Sequence, residues 1–242
     1  MKLACASGAL HTSFVRGDLT QLEFLDLCAH ELACDGVVLD VRHFPRSDGD
    51  YLAQVKKMST DRGLVIAAVG DAEFFSSERP HVSEVLALAA TLAAPIVCGA
   101  LALETHAQWS EQLERLNVAT SLAKAANVTL ALRNAPGTFA ASTHDCKRVT
   151  KEADSAWLRF GPEPRALDAA SVPADLAPNS VLLWSSMGDE SERSIDGLLR
   201  DFASFRGFLA LDEPSGDGKL GDVRSAMQSW QIALAARVLR AR

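Results

Sequence analysis

Val128-Thr129-Leu130-Ala131-Leu132-Arg133-Asn134-Ala135-Pro136-Gly137-Thr138-Phe139 is the stretch that decides the fold. Val128 to Leu132 is a short apolar run with β-branched members, the pattern of a strand buried on both faces. It stops abruptly at two polar residues, Arg133 and Asn134, and then turns at Pro136-Gly137. A buried strand that delivers polar side chains at its C-terminal end is what an α/β barrel builds at its active face.

Working outward, seven more runs of this kind appear. Lys2–Ala6, Gly36–Asp40, Leu64–Val69, Pro95–Cys98, Trp157–Phe160, Val181–Ser185 and Gly207–Leu211 read as strands. Most of the segments between them carry apolar residues three and four apart, the stripe of an amphipathic helix. Leu19–Ala33, with Asp18 as its N-cap, shows this in Leu22, Leu25, Ala29 and Leu32. Tyr51–Arg62, Val82–Ala93, Trp109–Ala126, Thr143–Ala153, Ser191–Phe205 and Asp222–Arg240 are the other helices. His11–Asp18 reads as a loop, and Ala166–Pro178 as a short helix at best. Eight strand-then-helix units in 242 residues give about 30 residues each, the length of one βα repeat. The reading is an α/β fold, a (β/α)8 TIM barrel, as a single domain over 1–242. No G-x-G-x-x-G follows the first strand and no G-x-x-x-x-G-K-[ST] occurs, which sets aside dinucleotide-binding and P-loop folds.

The net charge is -7, and the lysines and arginines are scattered. A nucleic-acid surface needs a basic patch to displace phosphate counterions, so no nucleic-acid partner is expected. Nor is a membrane partner, because no run approaches the roughly 20 apolar residues of a spanning helix. The five cysteines, Cys5, Cys28, Cys34, Cys98 and Cys146, are odd in number and form no C-x-x-C. Buried reduced thiols in a cytoplasmic protein are the expectation. The bulk figures suit a small-molecule ligand, and they leave self-association into a homo-oligomer open.

Four strings then carry a resemblance: Asp35-Gly36-Val37-Val38-Leu39, Gly63-Leu64-Val65-Ile66-Ala67-Ala68, Leu130 to Phe139, and Gly207-Phe208-Leu209-Ala210-Leu211-Asp212. Over nearly the whole chain the pattern resembles the xylose isomerase-like barrels, a group of sugar isomerases and epimerases that includes endonuclease IV-type proteins. In that group one divalent metal, such as manganese, magnesium or zinc, is held by acids at the ends of strands five, six and eight and a histidine from strand seven. The metal acts as a Lewis acid while carboxylates move a proton between neighbouring carbons. Carried over, the resemblance implies a degraded ligand set. Arg133 stands at the strand-five glutamate position and Ala135 at the histidine two places on. Gly161 or Pro162 falls near the strand-six aspartate, with Glu163 as neighbour. Leu183, Trp184 and Ser185 fill the strand-seven histidine region, and only Asp212 keeps an acid. No metal cofactor is expected. A nuclease of the endonuclease IV type would need several metals and a basic groove, and the chain offers neither.

The expected catalytic residues are Arg133, Glu163 and Asp212. Arg133 would take over the role of the cation, and a plain buried salt bridge with Asp212 is the competing reading. Asp40, His43, Asp71, Asn134, Trp184 and Glu213 are the expected substrate contacts. Asp40 and His43 read either as an acid/base couple or as a cap and a surface histidine. Trp184 reads as a stacking platform or a core ring. Phe74 and Phe75 either close the mouth or pack a loop. Glu104 and His106 read as loop residues, Glu163 and Arg165 on either side of Pro164 as mouth-facing groups or a rim pair, and Gly216, Gly218 and Lys219 as a polar turn or a phosphate site. His11, His30, His81 and His144 show no paired spacing and are assigned no role. The functional expectation is a sugar isomerase- or epimerase-like barrel with a diverged, metal-free site for a small sugar, polyol or anionic metabolite. Proton shuttling is its chemistry if it is an active enzyme. The alternative is a pseudoenzyme, a barrel that binds such a ligand without turnover.

Overall fold

Eight strands, β1 (Lys2–Ala6), β2 (Gly36–Asp40), β3 (Val65–Gly70), β4 (Ile96–Gly99), β5 (Thr129–Leu132), β6 (Leu158–Phe160), β7 (Leu182–Ser186) and β8 (Phe208–Asp212), form one parallel sheet. The structure is a computed structural model and describes residues 1–187, 192–213 and 218–240. Strand order runs β6-β5-β4-β3-β2-β1-β8-β7, so the sheet curls until β6 and β7 meet. At that seam a single bridge joins Phe160 and Ser180. Two backbone hydrogen bonds support it, Val181 N–H to the Phe160 carbonyl at 2.9 Å and Trp184 N–H to the Pro162 carbonyl at 2.9 Å.

Helices α1 (His11–Arg16), α2 (Gln21–His30), α3 (Gly49–Asp61), α4 (Arg79–Leu92), α5 (Trp109–Ala126), α6 (Thr143–Ala153), α7 (Glu192–Asp201) and α8 (Leu220–Arg240) belong to the connections between and after the strands. Their buried residues pack on the outer face of the sheet in one extended core that includes Phe24, Leu116, Phe202 and Trp230. The inner face is different. It is lined by Ala4, Ala6, Val38, Ala67, Ala68, Cys98, Ala131, Leu182, Trp184 and Ala210, so one indole ring and a few branched chains fill a tube of alanines. All five cysteines are unpaired, and four of them are buried. Among the described residues no helix is long and apolar enough to cross a membrane.

Strand positions agree with the sequence reading to within a residue at each end, and the differences lie in the β1–β2 and β6–β7 connections. His11–Asp18, read as a loop, holds the short helix α1 behind a 3₁₀ turn at Ser7–Leu10. The second helix is capped at Thr20 rather than Asp18. The Thr20 hydroxyl accepts from Glu23 N–H while the Glu23 carboxylate reaches back to Thr20 N–H, a capping box that outcompetes a single aspartate. No α-helix follows β6. Two 3₁₀ segments, Pro164–Ala166 and Pro173–Asn179, take its place, and the prolines there supply no N–H for a longer ladder. Ser191 and Gly216 lie outside the described residues.

Candidate functional site

Side chains alternate across a strand, so the residue two places past the last inward-facing one also points into the tube, at its C-terminal mouth. Applied to the inner face, the rule advances Ala6 to Gly8, Val38 to Asp40, Ala131 to Arg133, Gly161 to Glu163 and Ala210 to Asp212. All five residues line one cavity of about 540 Å³ at that end of the barrel.

Arg133 crosses the floor of this cavity. Its Nε and Nη2 donate to Glu163 Oε2 at 3.0 and 2.6 Å, and its Nη1 donates to Asp212 Oδ2 at 2.6 Å. The guanidinium carbon lies 4.1 Å from the centre of the Trp184 ring, a cation–π stack that makes the indole its bed. Burial opposes the arginine's charge, but the Asp212 and Glu163 carboxylates outweigh it and raise the Arg133 pKa above its ordinary value. Glu163 and Asp212 are themselves buried. Glu163 is delivered by Asn134, whose amide mimics a strand edge. Asn134 Oδ1 accepts Glu163 N–H at 2.8 Å and its Nδ2 donates to the Glu163 carbonyl at 3.0 Å. Asp212 Oδ1, its second oxygen, is buried without a partner among the described residues. It lies where Gly8 leaves room: a Cβ at Gly8 would come within 2.9 Å of it.

The opposite wall, from β1 and β2, carries a hydrogen-bonded chain of Ser7, His43 and His11 beside an ion pair. Ser7 Oγ accepts Asp40 N–H at 2.9 Å and meets His43 Nδ1 at 2.8 Å. His43 Nε2 meets His11 Nδ1 at 2.8 Å. The His43 ring is stacked on Phe14, 4.1 Å between centroids and 7° from parallel. Burial pushes the His43 pKa down to about 4, with Asp40 pulling the other way and His11 and Arg42 reinforcing the drop. Asp40 is paired with Arg42 at 2.7 Å.

The sequence-predicted residues therefore divide. Arg133, Glu163, Asp212, Asp40, Asp71, Asn134, Trp184 and Glu213 all line the cavity. His43 does not. It is buried behind His11 in the 3₁₀ turn Val41–His43, so the substrate contact expected of it is not available from that position, and neither is the surface setting. His11, given no role from sequence, stands at the cavity instead. The signal that could have found it is its place four residues past Ser7, on the far side of one short turn. Asp71 is occupied by Glu73 N–H at 3.0 Å and by His81 Nε2 at 2.6 Å. Phe74 and Phe75 do not close the mouth; both are fully buried in the outer core. Glu104 and His106 are exposed in their loop. Gly218 packs against the Ala9 carbonyl, and neither it nor Lys219 lines the cavity.

A divalent metal does not fit this donor set. Among the described residues no three histidine, cysteine or acidic side chains converge as ligands. The two acids nearest to doing so are bridged by a guanidinium, whose permanent positive charge repels a dication.

Comparison of the whole fold places this geometry among solved structures. A D-psicose 3-epimerase from Clostridium cellulolyticum H10, determined with D-tagatose, superposes with a TM-score of 0.75 at 14% identity over 97% of both chains. The probable 3-DHS dehydratase involved in petrobactin synthesis from Bacillus anthracis gives 0.76 at 12% identity over 96% of this chain and 99% of that one. A xylose isomerase domain protein from Alicyclobacillus acidocaldarius gives 0.72 at 18% identity over 97% and 98%. No protein-family model and no curated protein matches the sequence. At these identities the likeness establishes the fold alone: the chain is a (β/α)8 TIM barrel.

Proposed function

We propose that the cavity takes a neutral polyhydroxylated molecule, a small sugar or polyol, and that the barrel moves a proton between neighbouring carbons of it without a divalent metal. The observation that carries this reading is the Glu163–Arg133–Asp212 bridge on the cavity floor. A guanidinium has five N–H donors. Three are spent on the two carboxylates, which leaves one on Nη1 and one on Nη2 for the vicinal oxygens of a ligand. Those donors would stabilise the oxyanion that develops when a carbon-bound proton leaves. One carboxylate takes the proton and, now a carboxylic acid, returns it to the adjacent carbon, while the second relays the hydroxyl proton between the two vicinal oxygens. Asp212 Oδ1, buried and unpartnered among the described residues, and Glu163 Oε1 are the carboxylate oxygens not tied to Arg133. Trp184 forms the platform beneath the guanidinium, and Asp40, Asp71 and Glu213 complete the polar wall.

Charge favours the neutral ligand over an anionic one. Asp40, Asp71, Glu163, Asp212 and Glu213 line the cavity against only Arg42 and Arg133, and each arginine is paired with an acid there. The dehydratase among the structural neighbours is a reminder that this fold does not fix the reaction.

One observation favours a second reading, a barrel that binds without turnover. The same three hydrogen bonds that position the carboxylates also tie one oxygen of each to Arg133. Calorimetric titration with ketohexoses and inositols, alongside their phosphates, tests the ligand class. Neutral compounds should bind and phosphates should not. Proton NMR in deuterated buffer then tests the chemistry. Loss of a carbon-bound proton signal, at the same rate with chelator or with added manganese, is the expected result. Exchange that requires manganese would sink the metal-free mechanism, and binding with no exchange would establish the second reading.

A further inference from the structure

The β1–β2 wall contains a hydrogen-bonded chain that the chemistry above does not use. Its proton positions follow from counting. Ser7 is fully buried, and its Oγ already accepts the Asp40 N–H. Its single proton therefore needs an acceptor, and His43 Nδ1 at 2.8 Å is the one that the described residues offer. Burial keeps the His43 ring neutral at physiological pH, so with Nδ1 accepting, its own proton lies on Nε2. That proton points at His11 Nδ1, 2.8 Å away. With His11 Nδ1 accepting, a neutral His11 ring must carry its proton on Nε2, and the His11 ring lines the cavity.

We infer that His11 is an oxygen-binding residue of the cavity, presenting an Nε2–H donor to a ligand hydroxyl or carbonyl, and that His43 and Ser7 are positioning residues that fix its tautomer. The ligand class rests on the reading of the cavity as a sugar or polyol site; the tautomer does not. The opposite tautomer is disfavoured by the same counting. A proton on His11 Nδ1 would face the proton on His43 Nε2. Moving the latter to Nδ1 would strand the Ser7 hydroxyl with no acceptor, and leaving a buried donor unmet is costly. The stack on Phe14 holds the His43 ring in the plane that serves both contacts. His11 thus differs from the arginine opposite. It offers one directed donor in a cavity otherwise rich in acceptors.

Two measurements decide this. Long-range proton–nitrogen spectra of the full chain with labelled histidines report the tautomers directly. His11 and His43 should both show Nε2–H in the unaltered protein, and Ser7→Ala or His43→Phe should release His11 into a mixture. An Nδ1–H His11 in the unaltered protein, or one unchanged in both variants, overturns the positioning role. Titration with D-tagatose and the rest of the neutral panel tests the donor. His11→Gln, which keeps an N–H at a similar reach, should bind within about threefold of the original, while His11→Leu should lose about tenfold or more. Equal binding by all three overturns the donor role. Should no neutral compound bind the unaltered protein, the sugar reading and the ligand contact fall together, and the spectra still decide the tautomer.

Discussion

The two walls of the mouth solve the same problem with opposite means. On the β5, β6 and β8 side, polar groups are held by full charges: Arg133 between Glu163 and Asp212, each contact at 2.6 Å. On the β1 and β2 side, beside the Asp40–Arg42 pair, runs a hydrogen-bonded chain in which Ser7, His43 and His11 are joined at 2.8 Å. An ion pair keeps its attraction at any pH where the acids are ionised, and it tolerates small displacements because Coulomb energy falls slowly with distance. A hydrogen-bonded imidazole chain has neither property. It depends on where each proton sits, so one hydroxyl at its far end decides what is offered to the cavity.

Three perturbations separate the walls. The largest effect is expected from Arg133→Met, which leaves two buried carboxylates facing each other with no cation. Removing one partner of a buried ion pair costs about 3–5 kcal/mol, and chemical denaturation should show a loss of that size. A variant as stable as the original would mean that the bridge contributes nothing beyond packing.

Acid comes next and strikes the other wall. The His43 pKa falls from an ordinary 6.5 to about 4 on folding. The unfolded chain therefore binds this proton more readily than the folded one. The stability tied to it is complete above the unfolded pKa, declines as pH drops below it, and is lost by the folded pKa, roughly 3 kcal/mol in all. Urea titrations across that window should lose this component of their slope in His43→Phe. An unchanged slope would place the acid sensitivity elsewhere.

The smallest effect belongs to the residue that positions Glu163. Asn134→Ala removes two hydrogen bonds to the Glu163 backbone at once. A loss of about 2 kcal/mol is expected, with Glu163 and its pair to Arg133 loosened rather than abolished. Denaturation, together with the chemical shift of the Arg133 Nε proton, would measure both parts.

Most of the charged wall was legible in the chain, because strand parity is legible. Once β5 and β8 are recognised, Arg133 and Asp212 each fall two residues past an inward alanine, and their convergence follows from closing the barrel. The hydrogen-bonded chain was not. His11 lies on a helix of six residues, too short to display an apolar stripe, so its segment reads as loop. His43 sits three places past Asp40 in a 3₁₀ turn, which folds it back beneath the surface instead of carrying it onward from the strand. Phe74 and Phe75 left two readings open for a related reason. Nothing in a loop sequence says whether an aromatic pair turns toward the mouth or under it, and here both rings go under.

The seam at β6 and β7 gives the ion-pair bridge a second consequence. Seven of the eight joints of this cask are strand ladders, whereas the last has one bridge and no α-helix braced behind it. Arg133 rises from β5, on one side of that joint, and grips Asp212 on β8, on the other. It is a hoop across the weakest joint as well as the floor of the mouth. A residue carrying both duties ties integrity to occupancy: whatever a ligand does to the guanidinium is felt in the wall, and neither property can be tuned there without the other.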